Sequence, residues 1–120
     1  MTLHQLCPML ETPDLDASIA FYCEALGFTC TTHDQAYGWA SLQRGSIGVM
    51  LQTPQRPEQF ERPQLTGSLY FYSDDIDALW QEIGAAGELC YAIETFAYGM
   101  REFALYDNCG YLLKFGMPIE

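Results

Sequence analysis

The residues of this chain that could do chemistry are few and scattered. There are two histidines, His4 and His33, and five cysteines, Cys7, Cys23, Cys30, Cys90 and Cys109. No two cysteines make a Cys-x-x-Cys pair, and their number is odd. Such a set reads as free thiols in a reducing compartment, so a cytoplasmic protein is expected. His4 lies three residues before Cys7, so alternation along a strand would send the two to opposite faces. His33 sits beside Asp34 in an expected turn. A site of two histidines and one carboxylate cannot be assembled from these pieces. Arg101 follows Tyr98-Gly99 and could clamp a carboxylate or phosphate. The abundance of acids favours the plainer reading, in which Arg101 pairs with one of them.

The charge is one-sided. Sixteen acids face five bases, for a formal net charge of −11, and Lys114 is the only lysine. A nucleic-acid partner is excluded on this count, because counterion release needs clustered Lys and Arg. An acidic surface would attract a cationic ligand, although solubility alone would account for it equally well. At 120 residues and 49% apolar content the chain suits one globular domain. No apolar run approaches the ~20 residues of a membrane helix. The start, MTLHQLCPMLE, lacks the basic and apolar regions of a secretory signal.

These residues must be positioned by elements that the sequence writes twice. Leu3 to Glu11 reads as a strand ending at Thr12-Pro13. Asp14 is an N-cap, and Leu15, Ile19, Tyr22 and Leu26 make one helical face that Gly27 ends. Strands are expected at 28–32, 37–43 and 47–53. A proline-rich loop, 54–65, follows. The second half repeats the order. A strand over 66–73 leads to a helix capped by Asp74 or Asp75, with Ile76, Leu79, Trp80 and Ile83 on its apolar face and Gly87 at its end. A strand over 89–94 precedes a hairpin turning at Asp107-Asn108-Cys109-Gly110. At an offset of 61, Asp14-Leu15-Asp16-Ala17 falls on Asp75-Ile76-Asp77-Ala78, and Ala36-Tyr37-Gly38-Trp39 on Ala97-Tyr98-Gly99-Met100. One inserted residue then brings Gln52 onto Lys114. Matches in order at nearly constant offset argue for an internal duplication. The expected fold is α+β: two tandem βαβββ modules, 1–53 and 66–117, within a single domain spanning 1–120. A four-stranded sheet with one helix covers only one of its faces.

The pattern resembles the glyoxalase/bleomycin-resistance/dioxygenase family, also called the vicinal oxygen chelate superfamily. PDLDASIAFYCEALGF is similar to its D-L-x-x-S-x-x-F-Y-x-x-x-L-G-F helix, and DNCGYLLKF to its D-P-D-G-Y-x-x-E-F hairpin. The resemblance implies curved sheets around a cavity and a homodimer that shares sites between chains. Metal-dependent members take one ligand from the first strand and one from the last strand of each module. Those positions match Cys7 and Gln52 in the first module, Ser68 and Lys114 in the second. None suits a hard divalent ion: Ser68 and Gln52 are weak neutral donors, and the Lys114 ammonium accepts nothing and repels a cation. No metal and no cofactor is expected, and the metal-dependent activities of the family do not carry over.

Alternation from these anchors gives the remaining ligand-binding candidates. Met9 accompanies Cys7, Met50 accompanies Gln52, Tyr70 and Tyr72 accompany Ser68, and Leu112 accompanies Lys114. The paired middle strands offer Trp39 and Ser41 in the first half, Met100 and Glu102 in the second. Such walls suit flat or amphipathic small molecules, yet Trp39, Tyr70 and Met50 would serve equally well as packing. Glu102 and Lys114 are expected to pair. The reading that fits best is a metal-free protein resembling bleomycin-resistance proteins, which sequesters an aromatic or cationic small molecule in an acidic, aromatic-lined cavity. The alternative is a glyoxalase-like lyase or isomerase, or another enzyme of the same fold acting without the usual metal, with Glu102, Tyr70 or Cys7 in acid–base or nucleophilic roles. In a third reading the cavity is filled and the module is mainly structural or regulatory.

Overall fold

Two aspartates start the two α-helices in the same way. In the computed structural model, which describes residues 1–119, Asp14 and Asp75 take extended backbone angles just before α1 (Leu15–Ala20) and α2 (Ile76–Ile83). Each carboxylate accepts from the amide three residues on, that of Ala17 at 3.0 Å and that of Ala78 at 3.2 Å. This satisfies one of the donors a helix start leaves unpaired. α1 widens into a π-helical turn, Phe21–Ala25, and Gly27 follows at a φ of 76°, a left-handed angle that glycine adopts without strain.

The chain divides into two units, Met1–Glu61 and Arg62–Glu120. The first holds β1 (Met9–Glu11), β2 (Thr29–Asp34), β3 (Trp39–Arg44) and β4 (Ile47–Gln52), in the sheet order β1-β4-β3-β2. The second holds β5 (Leu69–Tyr72), β6 (Glu88–Thr95), β7 (Met100–Tyr106) and β8 (Leu112–Pro118), in the order β5-β8-β7-β6. In both, the first strand runs parallel to the fourth and the other pairings are antiparallel. The expected α+β pair of βαβββ units is therefore present. A short 3₁₀ turn, Pro57–Gln59, interrupts the proline-rich stretch.

Each unit has a core on one face of its sheet. In the first, Leu10, Ala40, Leu42, Val49 and Leu51 are buried along with Tyr22 and Leu26. In the second, Phe103, Leu105, Leu113 and Phe115 are buried along with Ile76 and Ile83 of α2. Burying each such large side chain contributes about 1.5–3 kcal/mol. Trp80 is half-buried, its ring edge-on to Phe103 with centroids 5.0 Å apart. The β7–β8 turn is held by Asp107, whose Oδ1 accepts from the amides of Cys109, Gly110 and Tyr111 at 2.9–3.0 Å.

His33 and Asp34 lie in β2, not in the expected turn, and three further expectations need correction. The first strand begins at Met9, not Leu3: Pro8 has no amide hydrogen to extend the ladder, and Leu3 and Leu6 remain exposed. Cys7 thus precedes its strand, as Ser68 precedes β5. α2 ends at Ile83 with Gly84 as its cap, not at Gly87; a side chain on Gly84 would lie 2.5 Å from the Trp80 ring. The third correction concerns register. Met9 pairs with Met50 and Glu11 with Gln52, while Tyr70 pairs with Lys114 and Tyr72 with Gly116. With the helix caps fixing the offset of 61 in the first strands, Lys114 corresponds to Met50, and Gln52 corresponds to Gly116. Trp39 faces Gln52 as Glu102 faces Gly116, so Trp39 corresponds to Glu102 and not to Met100. The β7–β8 ladder continues two pairs further, through Arg101–Met117 and Met100–Pro118, which moves the repeated Ala-Tyr-Gly turn outward.

Candidate functional site

The sheet faces turned away from the cores carry the candidate residues. In the first unit this open face presents Met9, Trp39, Ser41, Met50 and Gln52, all on the expected side of their strands. Met9 is exposed and the others are half-buried. Cys7 lies at the level of Gly48, where an added Cβ would be 3.5 Å from its sulfur. That is four residues from Gln52 along β4, roughly 13 Å at 3.3 Å per residue. Cys7 and Gln52 therefore do not form a ligand pair.

In the second unit, Tyr70, Tyr72, Met100, Glu102, Leu112 and Lys114 share the open face, as alternation predicts. Glu102 is 2% exposed although it faces away from the core. It is covered by tyrosines. The Tyr70 hydroxyl donates to Oε1 at 2.9 Å and the Tyr91 hydroxyl donates to Oε2, while the Tyr98 hydroxyl lies near enough to act on the carboxylate. Tyr70 comes from β5, Tyr91 from β6 and Tyr98 from the turn before β7, so one carboxylate gathers three rings from across the sheet. Gly116 makes this possible: a Cβ there would sit 2.0 Å from the Tyr70 oxygen and 3.1 Å from the Glu102 Cβ.

The electrostatics follow from this geometry. Burial pushes the Glu102 carboxyl upward, but the hydrogen bonds from Tyr91 and Tyr70, helped by the nearby Tyr98 hydroxyl and the charge of Lys114, outweigh it, and the net shift is downward. Glu102 is therefore ionised at neutral pH. Burial and the neighbouring Glu102 push the hydroxyls of Tyr70, Tyr91 and Tyr98 upward, so they stay protonated, and Tyr70 and Tyr91 remain donors. The expected ion pair between Glu102 and Lys114 is not present. Lys114 faces Ala104, one pleat from Glu102, and acts on it only through its field.

More aromatic rings surround the cluster. Tyr70 and Tyr72 lie 5.0 Å apart, Tyr91 meets Phe96 edge-on at 5.4 Å, and Phe96 stacks on Tyr98 at 5.3 Å. Sequence reasoning missed Tyr91, Phe96 and Gly116, and it noted Tyr98 without a partner. The register of β6 shifts on both sides of Tyr91, so simple alternation could not place that residue. Gly116 was within reach, since it lies two residues beyond Lys114. Arg101 points to the core side and clamps Asp77 of α2, with Nη2–Oδ1 at 2.9 Å and Nε within 3.2 Å of both oxygens. It is thereby an internal partner and not a ligand clamp.

The positions where the family carries metal ligands do not fit a metal here. Lys114 brings a positive charge, and the nearby Glu102 is occupied by hydroxyl donors. Among the described residues no group of three or more His, Cys, Asp or Glu is placed to hold an ion. The five cysteines are free, and no described helix is long and apolar enough to cross a membrane.

Residues 3–115 match the sequence pattern of the Glyoxalase/Bleomycin resistance protein/Dioxygenase superfamily. The chain belongs to that superfamily. This member is 28% identical over 131 aligned positions to a bleomycin resistance protein of Geobacillus stearothermophilus, with 97% of the chain and 98% of the relative covered. Its fold matches the crystal structure of a bleomycin resistance determinant encoded on transposon Tn5, with a TM-score of 0.78 and 26% identity over 97% of this chain and 98% of that one. It also matches a bleomycin-binding protein complexed with bleomycin, with a TM-score of 0.77 and 27% identity over 96% and 98% of the two chains.

Proposed function

We propose that this superfamily member is a binding protein that sequesters an aromatic, cationic small molecule on the open faces of its sheets, needs no metal of its own, and works as a homodimer. The observation that carries the reading is the tyrosine cluster of the second unit, a set of rings fixed in place around a buried negative charge. The kinship to bleomycin-binding proteins supports it, and so does the net charge of −11, which would speed the approach of a cation. The open faces leave apolar and aromatic side chains such as Met9, Tyr72 and Tyr98 exposed. Large exposed patches are uncommon on monomers, and light scattering should give twice the chain mass of 13.6 kDa. An acid–base role for Glu102 is disfavoured, because a buried, ionised carboxylate already holding two hydroxyl donors is poorly placed to exchange protons with a substrate.

The test is a fluorescence titration with a bleomycin-type glycopeptide. Binding should quench Trp39, which lies on the open face of the first unit, and chelator should leave the binding unchanged. Trp39→Ala should weaken binding about tenfold, or about 1.4 kcal/mol. Trp80→Phe is the control, since Trp80 packs on Phe103. A lack of any binding would overturn the drug-sequestration reading. Loss of binding on chelation of tag-free protein would overturn its metal-free form.

A further inference from the structure

We propose that the open face of the second unit recognises an organic ammonium ion through ring faces, at the β6 side of the sheet, with Glu102 acting from behind the rings. The inference deepens the binding reading above and rests on it for the claim that this face holds a ligand.

Glu102 cannot meet a ligand directly. Its two oxygens are taken by Tyr70 and Tyr91, and only 2% of the residue is exposed. What a ligand meets instead is aromatic. Tyr98 is 66% exposed, and Phe96 stacks behind it while meeting Tyr91 edge-on. A ring face carries negative charge and attracts a cation. A phenol that donates to a carboxylate takes on part of a phenolate's character, which enriches its ring face further. Glu94 stands opposite Glu102 on β6 and adds a second negative charge near Tyr98.

Lys114 sets the position. Its ammonium lies on the same face, in register with Tyr70 on β5, and would repel a second cation from Tyr70 and Tyr72. The β6 side, at Tyr91, Phe96 and Tyr98, is the part of the face where the negative groups are not opposed. The ligand class that fits is a quaternary or protonated alkylamine, either alone or as the cationic group of a larger molecule.

The experiment compares choline with dimethylbutanol, its neutral carbon isostere, followed by NMR of the aromatic side chains of the intact protein. Choline should shift Tyr98 and Phe96 and bind about fivefold tighter than the isostere. Lys114→Met should tighten choline binding, and Glu102→Gln should bring it down towards that of the isostere. Tyr98→Leu changes an exposed ring and should remove the preference without unfolding the protein. Equal binding of the two probes overturns the proposal, as does a choline preference that survives Tyr98→Leu. A glycopeptide that binds without any choline preference sinks this inference and leaves the binding reading standing. A choline preference without glycopeptide binding does the reverse, and binding of none of the three compounds overturns both.

Discussion

The two units share a scaffold and carry opposite chemistry on it. Trp39 in the first unit occupies the ladder position of Glu102 in the second, Met9 that of Tyr70, Met50 that of Lys114, and Gln52 that of Gly116. One face is therefore a tryptophan with two thioethers and an amide. The other is a buried carboxylate, a lysine and a set of tyrosines. The cores beneath are interchangeable in kind, aliphatic and aromatic side chains against one helix. A duplicated fold keeps what its packing needs and varies what its open face presents. The Tyr–Glu cluster therefore owes nothing to the βαβββ fold as such, because the first unit folds without a counterpart to it.

The largest effect should come from removing the carboxylate. Glu102→Ala leaves the hydroxyls of Tyr70 and Tyr91 without their acceptor and should cost about 2–4 kcal/mol in urea denaturation. The pH dependence gives a cleaner reading. Folding lowers the Glu102 pKa, so its contribution is fully present above the ordinary glutamate value of about 4.3 and is lost as pH falls through the folded value. The wild type should therefore lose stability more steeply in acid than Glu102→Gln, and Trp39→Phe in the other unit should keep the wild-type slope. Raised tyrosine pKa values work at the other end: their contribution is present below about 10 and is lost as pH rises above it. Parallel acid limbs for wild type and Glu102→Gln would mean that the cluster does no more than its apolar counterpart.

A smaller effect separates the two units at the last strand. Gly116→Ala places a methyl group 2.0 Å from the Tyr70 oxygen. The ring must swing away and give up its hydrogen bond to Glu102, which should cost about 1–3 kcal/mol. Gln52→Ala, at the matching position of the first unit, removes a half-buried polar side chain and should stay within about 0.5 kcal/mol. Equal costs would show that the second face is no more tightly determined than the first.

Much of this was legible in the sequence, and the limits have physical causes. The repeated element order, the helix caps and the face of those candidates that lie within strands could be read, because caps and period-two alternation are local, whereas Cys7 and Ser68 fall just before their strands. The correspondence of Trp39 with Met100 could not hold, because the repeated Ala-Tyr-Gly marks a turn and the ladder beyond it is longer by two pairs in the second unit. The partners of Glu102 were hidden for a different reason. Lys114 was the obvious charge, but hydroxyls from two other segments filled the carboxylate first, and bulges in β6 took Tyr91 out of the alternating pattern.

The smallest difference between the units should lie at the helix caps. Asp14 and Asp75 hold equivalent caps, accepting from Ala17 and Ala78 at nearly equal distances with similar exposed surroundings. Each is followed by an acid in the first helical turn, Asp16 and Asp77. Changing either cap to alanine should cost about 1 kcal/mol. One difference separates them: Asp77 is clamped by Arg101, which ties the start of α2 to β7, whereas Asp16 has His33 nearby, at 3.9 Å. If that clamp supports the helix start, Asp75→Ala should be the milder of the two, and Arg101→Ala should bring its cost up to that of Asp14→Ala. Both variants and the double change can be measured by the same urea denaturation. A cap in the second unit that costs clearly more than its twin would mean that α2 depends on local capping more than on its clamp.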